Sequence, residues 1–238
     1  MTVVRSTVIA RHEVPRQSIG VAGLLRYARN DVRYIGIAST VLALSACSVL
    51  RAPTSVIQAP ARDWRAVATG DDRDRLREWR GTFQSALQAA RAAGHGAEID
   101  REGALLQPDA AIAGGPIPNG DYRCRVIKLG AKTPGLLDYI SYPAFRCRIR
   151  QEKDLQGFAK LSGSQRQVGL IFRGDALRQV FLGTLVLGDE RRAMQYGRDR
   201  ERDVAGFVEH IGPNRWRLLM PRPQFESMTD VLELVPAS

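Results

Sequence analysis

Histidine, cysteine and lysine are scarce in this chain. Among 238 residues there are three His and three Cys, and lysine stands only at 128, 132, 153 and 160. His12, His95 and His210 are far apart, and none has the His-Glu-x-x-His step that puts two imidazoles on one zinc ion. A Gly-x-Ser-x-Gly elbow is missing, and so is a Cys-x-x-Cys redox centre. Leu129-Gly130-Ala131-Lys132-Thr133 lacks the upstream glycine of a phosphate loop. Ser162-Gly163-Ser164 is ordinary turn chemistry, and Glu98 and Glu102 share only a helical step. No catalytic residue, metal ligand or cofactor is expected. Long apolar runs are also missing. The longest, Ile35 to Leu50, has 16 residues and includes Ser39, Thr40, Ser45 and Ser48, whereas a spanning helix needs about 18–20.

What is abundant is arginine. The formal charge is +10. The first 46 residues hold six arginines and two acids, so the remainder carries +6. A GC-rich genome alone produces such a bias. The alternative is attraction to anionic partners such as phospholipid headgroups, lipopolysaccharide or cell-wall polymers. Apolar content of 44% and charged content of 25% are ordinary for a globular domain.

Leu44-Ser45-Ala46-Cys47 ends the apolar run that begins at Ile35 behind Arg33. This arrangement resembles the lipobox of a bacterial lipoprotein signal peptide. The resemblance implies lipidation of Cys47, removal of residues 1–46, and a domain tethered on the extracytoplasmic side of a membrane. A soluble secretory signal is the closest rival. Residues 1–31 are long and charged for a signal, so the expected start is Val32, read as an alternative initiator; a tag placed ahead of residue 32 checks this. Ser48 after the cysteine points to the outer membrane by analogy with lipoprotein sorting. Residues 47–62 read as a tether, with Pro53 and Pro60 and little to bury.

Residues 63–238 are expected to form one globular domain, helical over 63–106 and β over 120–236. Thr69 is a candidate N-cap with Asp72 three residues on. Leu76, Trp79, Phe83, Leu87 and Ala90 recur at three- and four-residue steps, which predicts one amphipathic helix ending at Gly94. Ala97 to Leu106 allows a short second helix. From Asp121 the period changes to two. Tyr122, Cys124 and Val126 alternate with Arg123 and Arg125, and Phe145, Cys147 and Ile149 with Arg146, Arg148 and Arg150. Further strand patterns run from Phe158 to Phe172 around a Ser162–Gln165 turn, Val180 to Leu187, Ala205 to Ile211, Trp216 to Met220, and Val231 to Val235. The fold class is mainly β with an N-terminal helix (α+β): an antiparallel, barrel-like meander of about eight strands, with a β-sandwich as alternative. Val180 to Leu187, with Trp216 and Met220, fills a core or lines an apolar cavity.

With Cys47 claimed by lipid, Cys124 and Cys147 form an even pair in an oxidising compartment. A disulfide between them would lie on the buried face and close a loop of about 22 residues, worth roughly 3 kcal/mol on the chain-entropy model. Arg123, Arg125, Arg146 and Arg148 would then crowd the opposite face. Like charges across strands destabilise, so this cluster calls for carboxylate partners, locally Glu152 and Asp154, or for an anionic ligand.

Asp63-Trp64-Arg65, Ala93-Gly94-His95-Gly96-Ala97-Glu98, Gly120-Asp121-Tyr122-Arg123-Cys124-Arg125, Tyr142-Pro143 and Val231-Leu232-Glu233-Leu234-Val235-Pro236 resemble the bacterial family called domain of unknown function 4893, over about Asp63 to Pro236. The resemblance implies one exported domain and carries no established activity over to it. The functional expectation is a non-enzymatic cell-envelope lipoprotein. It would be membrane-held by its lipid and would bind an apolar or anionic envelope ligand, lipid or glycan, or a protein partner, with no role for nucleic acid. The alternatives are an envelope hydrolase without a recognisable motif and an inhibitor or assembly subunit.

Overall fold

A computed structural model describes residues 62–237. The expected signal, the lipidation site Cys47, the start at Val32 and nearly all of the tether lie outside the described residues.

The helical part begins with caps. Asp63 accepts the Arg65 amide and opens α1 (Trp64–Val67). Thr69 accepts the Asp72 amide at 3.2 Å and opens α2 (Gly70–Arg77), with Asp71 and Asp72 at its positive end. The single helix expected up to Gly94 is broken at Glu78 (φ −91°, ψ 3°), and α3 runs Trp79–Ala92. The break has a packing reason. Leu76 belongs to an apolar cluster with Leu170, Phe172, Val180 and Leu182. Phe83, Ala86, Leu87 and Ala90 belong to a different one with Ile127, Leu129 and Val231. A straight rod cannot touch both flanks of a curved sheet. Gly94 (φ +96°) ends α3 in the left-handed region. Next come α4 (Gly96–Glu102) and a 3-10 turn (Gly103–Leu106). No helix among the described residues is long and apolar enough to cross a membrane.

Nine antiparallel strands follow: β1 (Gly120–Ala131), β2 (Tyr139–Ser141), β3 (Phe145–Glu152), β4 (Leu155–Lys160), β5 (Gln165–Phe172), β6 (Arg178–Leu187), β7 (Asp203–Gly212), β8 (Arg215–Pro221) and β9 (Ser227–Pro236). β1 pairs with β3, each of β3 to β8 pairs with the next, and β9 pairs back onto β1. Eight strands therefore close a barrel, which settles barrel against sandwich. The extra strand β2 pairs with the second half of β1, where β3 has left it.

Period-2 alternation sorts the side chains. Tyr122, Cys124, Val126, Cys147, Ile149, Phe158, Ile171, Phe181, Leu185, Leu218 and Leu232 meet in the interior. Outward positions of β1, β8 and β9 sit beneath α3, and β7 meets α2. At Gly130 (φ +68°) an added Cβ would lie 3.1 Å from the Ala86 Cα and 2.7 Å from the Met228 sulfur, so glycine permits the close approach of α3 to β1.

Candidate functional site

The barrel is not covered evenly. The outward residues of β3, Arg146, Arg148 and Arg150, are exposed, as is Arg123 in the first half of β1. The register sets Arg123 directly opposite Arg146 and Asp121 opposite Arg148. Arg148 holds Asp121 with Nε at 2.5 Å and Nη2 at 3.0 Å, and this bond keeps the Asp121 carboxyl below its usual range. Arg125 leaves the group altogether. It donates to both oxygens of Glu102 at 2.7 and 2.5 Å and to Glu233 at 3.0 Å, which drives Glu102 down and the guanidinium up. The expected local acids are taken elsewhere: Glu152 pairs with Arg150 and Asp154 with Arg62, each at 2.9 Å. Arg123 and Arg146 remain, and neither joins an ion pair among the described residues. Two like charges face each other across one ladder in solvent.

Behind them lies the Cys124–Cys147 disulfide, with Cα atoms 5.9 Å apart. Cys124 faces Phe145 and Cys147 faces Tyr122 in the register, so the bridge runs diagonally across the ladder. Both residues are buried in the interior cluster, where the bridge does structural work.

The interior is full. Phe181, Leu185, Trp216 and Met220, considered above as cavity lining, are packed core, and Val180 and Leu182 point outward under α2. The chain before β1 plugs one end. The Ile117 amide donates to Gln179 at 3.1 Å, its carbonyl accepts from Gln156 at 2.7 Å, and the Tyr122 hydroxyl donates to the Pro118 carbonyl at 2.7 Å. At the other end the inward positions turn polar. The Lys128 ammonium lies 3.2 Å from Asp230 and 3.1 Å from Glu226. Burial pulls this lysine down, but the two carboxylates outweigh it and leave it above the ordinary value. Lys160 has no such partner. It donates to the Gln165 carbonyl at 2.8 Å and lies 3.7 Å from the Phe145 ring centre. Burial first, then Lys128 and Arg166, pull it down to about 8. A void of about 10 Å³ remains among these groups, room for about one water. This void is too small for anything larger than water.

Some of this was open to parity counting. Lys128 follows Tyr122, Cys124 and Val126 in even phase, so it had to point inward. His210 shares the odd-even logic and stacks on Trp216 at 5.1 Å, while His95 stacks on Tyr139 at 5.4 Å. The buried Arg217–Glu209 pair, at 2.6 Å, was missed because both residues occupy outward positions that read as solvent-facing.

No curated protein and no solved structure matches the chain. One family model does, over residues 64–234, which takes in α1 to α4, the plug and all nine strands. The chain therefore belongs to the family described as domain of unknown function (DUF4893).

Proposed function

We propose that this protein is a lipid-anchored binding protein of the bacterial cell envelope, and that it uses the outside of its barrel, on the helix-free flank of β1 and β3, to contact anionic lipid headgroups. The observation that carries this reading is the exposed Arg123–Arg146 pair, two arginines directly opposite each other on one ladder with no ion-pair partner among the described residues. An anion between them would relieve their repulsion and accept several charge-assisted hydrogen bonds. The filled interior supports an outer-surface role over a ligand cavity. The Cys124–Cys147 bridge supports an oxidising, exported setting.

The anchor and the flank also suit each other. Arg62, where the described domain begins, pairs with Asp154 in the β3–β4 turn, so the tether would leave from the end of the arginine-bearing strand.

The test uses the mature chain carrying Cys47→Ser. It should sediment with phosphatidylglycerol vesicles and not with phosphatidylcholine vesicles, with strong salt dependence. Arg123→Gln with Arg146→Gln should weaken binding about thirtyfold, at about 1 kcal/mol per arginine. Unchanged binding in that double variant refutes the flank. Separately, mass spectrometry of the membrane-bound protein should find its N-terminus at an acylated Cys47, and a Cys47→Ser chain that stays firmly in the membrane fraction would refute the anchor.

A further inference from the structure

A groove of about 590 Å³ opens beside the first turns of α3, within the range of roughly 300–1,000 Å³ that small-ligand sites span. Gly81, Thr82 and Ser85 form one wall, and Lys132, Arg222 and Met228 form the other. The wall on α3 is low. Gly81 sits in a helix, where glycine is a poor former, yet a Cβ there would meet nothing within 4 Å. The Thr82 and Ser85 hydroxyls make no side-chain hydrogen bond among the described residues.

The opposite wall is cationic and under-compensated. The Lys132 ammonium donates to the Pro223 and Gln224 carbonyls, which leaves one of its three N–H donors free. Arg222 reaches Glu78 at 2.7 Å, and both side chains are about half exposed. Glu78 is the one carboxylate lining the groove, against two cations. Partial burial, and then the like charges of Arg75 and Arg222, pull Lys132 below the ordinary lysine value, against the opposing field of Asp230. The Met228 thioether supplies an apolar surface beside these charges.

We propose that this groove binds a small amphiphilic anion, with a phosphate or carboxylate head between Lys132 and Arg222 and an apolar tail along Met228 and the bare backbone at Gly81. The head takes the free Lys132 donor and the Arg222 guanidinium, and the Thr82 and Ser85 hydroxyls stand ready as further donors. The site does not depend on the arginine flank of β1 and β3 or on the lipid anchor, since none of its residues belongs to either.

Titration calorimetry on the mature chain carrying Cys47→Ser tests it, with decyl phosphate and decanoate below their micelle thresholds as probes. Saturable one-to-one binding of either probe is expected. Lys132→Gln and Arg222→Gln should each weaken it about tenfold or more, the effect of losing one hydrogen bond to a charged group. Gly81→Phe, checked for an unchanged circular dichroism spectrum, should abolish it by filling the groove. Arg123→Gln with Arg146→Gln should leave it intact, which separates this site from the vesicle-binding face. The proposal is overturned if neither probe binds, if decanol binds as tightly as the anions, or if Lys132→Gln and Arg222→Gln both bind as the parent does.

Discussion

Arg217 is the largest side chain in the domain that is fully closed off from solvent, and it carries a charge. Its Nε donates to Glu209 at 2.6 Å. Its Nη1 donates to the carbonyls of Leu105 and Gln107 at 2.8 and 2.7 Å, and its Nη2 to that of Pro108 at 3.1 Å. These carbonyls lie in or just after the 3-10 turn, at the end of the helical layer, where backbone acceptors run short of helical partners. One guanidinium thus ties the end of the helical layer to β8. Glu209, equally buried, takes a second donor from Arg178 at 2.7 Å, so removing Arg217 leaves the carboxylate half compensated and several carbonyls dry. Breaking a buried pair from one side costs more than the pair contributes. Arg217→Met should therefore lower the unfolding free energy by about 3–5 kcal/mol in urea titrations. Adding Glu209→Gln should cost less than the sum of the two single changes, with a coupling of about 1–3 kcal/mol. A loss below about 1 kcal/mol for Arg217→Met would contradict the pinning role.

At the scale of elements, a second buried polar cluster joins α2, β7 and the loop between β6 and β7. Asp72 accepts the Tyr196 hydroxyl at 2.6 Å and Arg75 at 2.9 Å, and Arg75 also donates to the Asp203 carbonyl at 2.9 Å. Asp203 accepts the Gly197 amide at 2.9 Å through Oδ1, while its buried Oδ2 has no partner. Burial, and to a lesser degree the Asp72 charge, push Asp203 up to about 6 against the pull of the Gly197 amide. An unfolded aspartate titrates near 3.9, so the folded state binds this proton more tightly. Stability from this group therefore falls as pH rises from about 4 to about 6 and is level above that. Carboxylates held low, such as Glu102, Asp121 and Glu190, act in the opposite sense, and their contribution is lost only as pH drops below about 4. Asp230, raised by its burial, acts in the same sense as Asp203, so a single substitution is needed to isolate one group. Asp203→Asn imitates the protonated acid. It should exceed the parent by about 1–2 kcal/mol at pH 7.5, after allowance for solvent screening, and lose most of that advantage by pH 4.5. Urea midpoints at the two pH values measure this, and a pH-independent difference would remove Asp203 as the cause. How far such elements can be read from the chain depends on range. Thr69 as a cap, Gly94 as a terminator and the Tyr122–Cys124–Val126 alternation are local signals, and they located α2, the end of α3 and the inner face of β1. The break at Glu78 has no local sign, because it reflects two apolar clusters on different flanks of the barrel. β2 has only three residues, too few for a period to show. The fate of Arg125 was equally hidden, since Glu102 and Glu233 lie 23 and 108 positions away, whereas the Cys124–Cys147 bridge was expected from the cysteine count and its burial from parity.

Among the shorter ladders of the barrel, the one between β1 and β3 forms a weak seam where three features meet. β1 pairs with β9 from Tyr122 to Ala131, but with β3 only from Gly120 to Cys124 before β2 takes over. A short ladder opens more easily than a long one. Across this same short ladder stand Arg123 and Arg146, whose repulsion weakens it further, and across it runs the disulfide. The bridge thus reinforces one of the shorter ladders of the closed sheet, and an exposed arginine pair can be kept there because a covalent bond offsets its repulsion. Replacing Cys124 and Cys147 with Ala should lower stability by about 3 kcal/mol, from the loop of 23 residues that the bridge closes. The loss should be uneven. In hydrogen exchange, amides of β3 from Phe145 to Ile149 should lose protection first, while those of β9, secured by the long ladder, keep theirs. In that disulfide-free background, Arg146→Glu, now opposite Arg123, should restore about 0.2–1 kcal/mol. If β9 amides open together with those of β3, or if Arg146→Glu destabilises further, the barrel has no such seam and the disulfide acts on the fold as a whole.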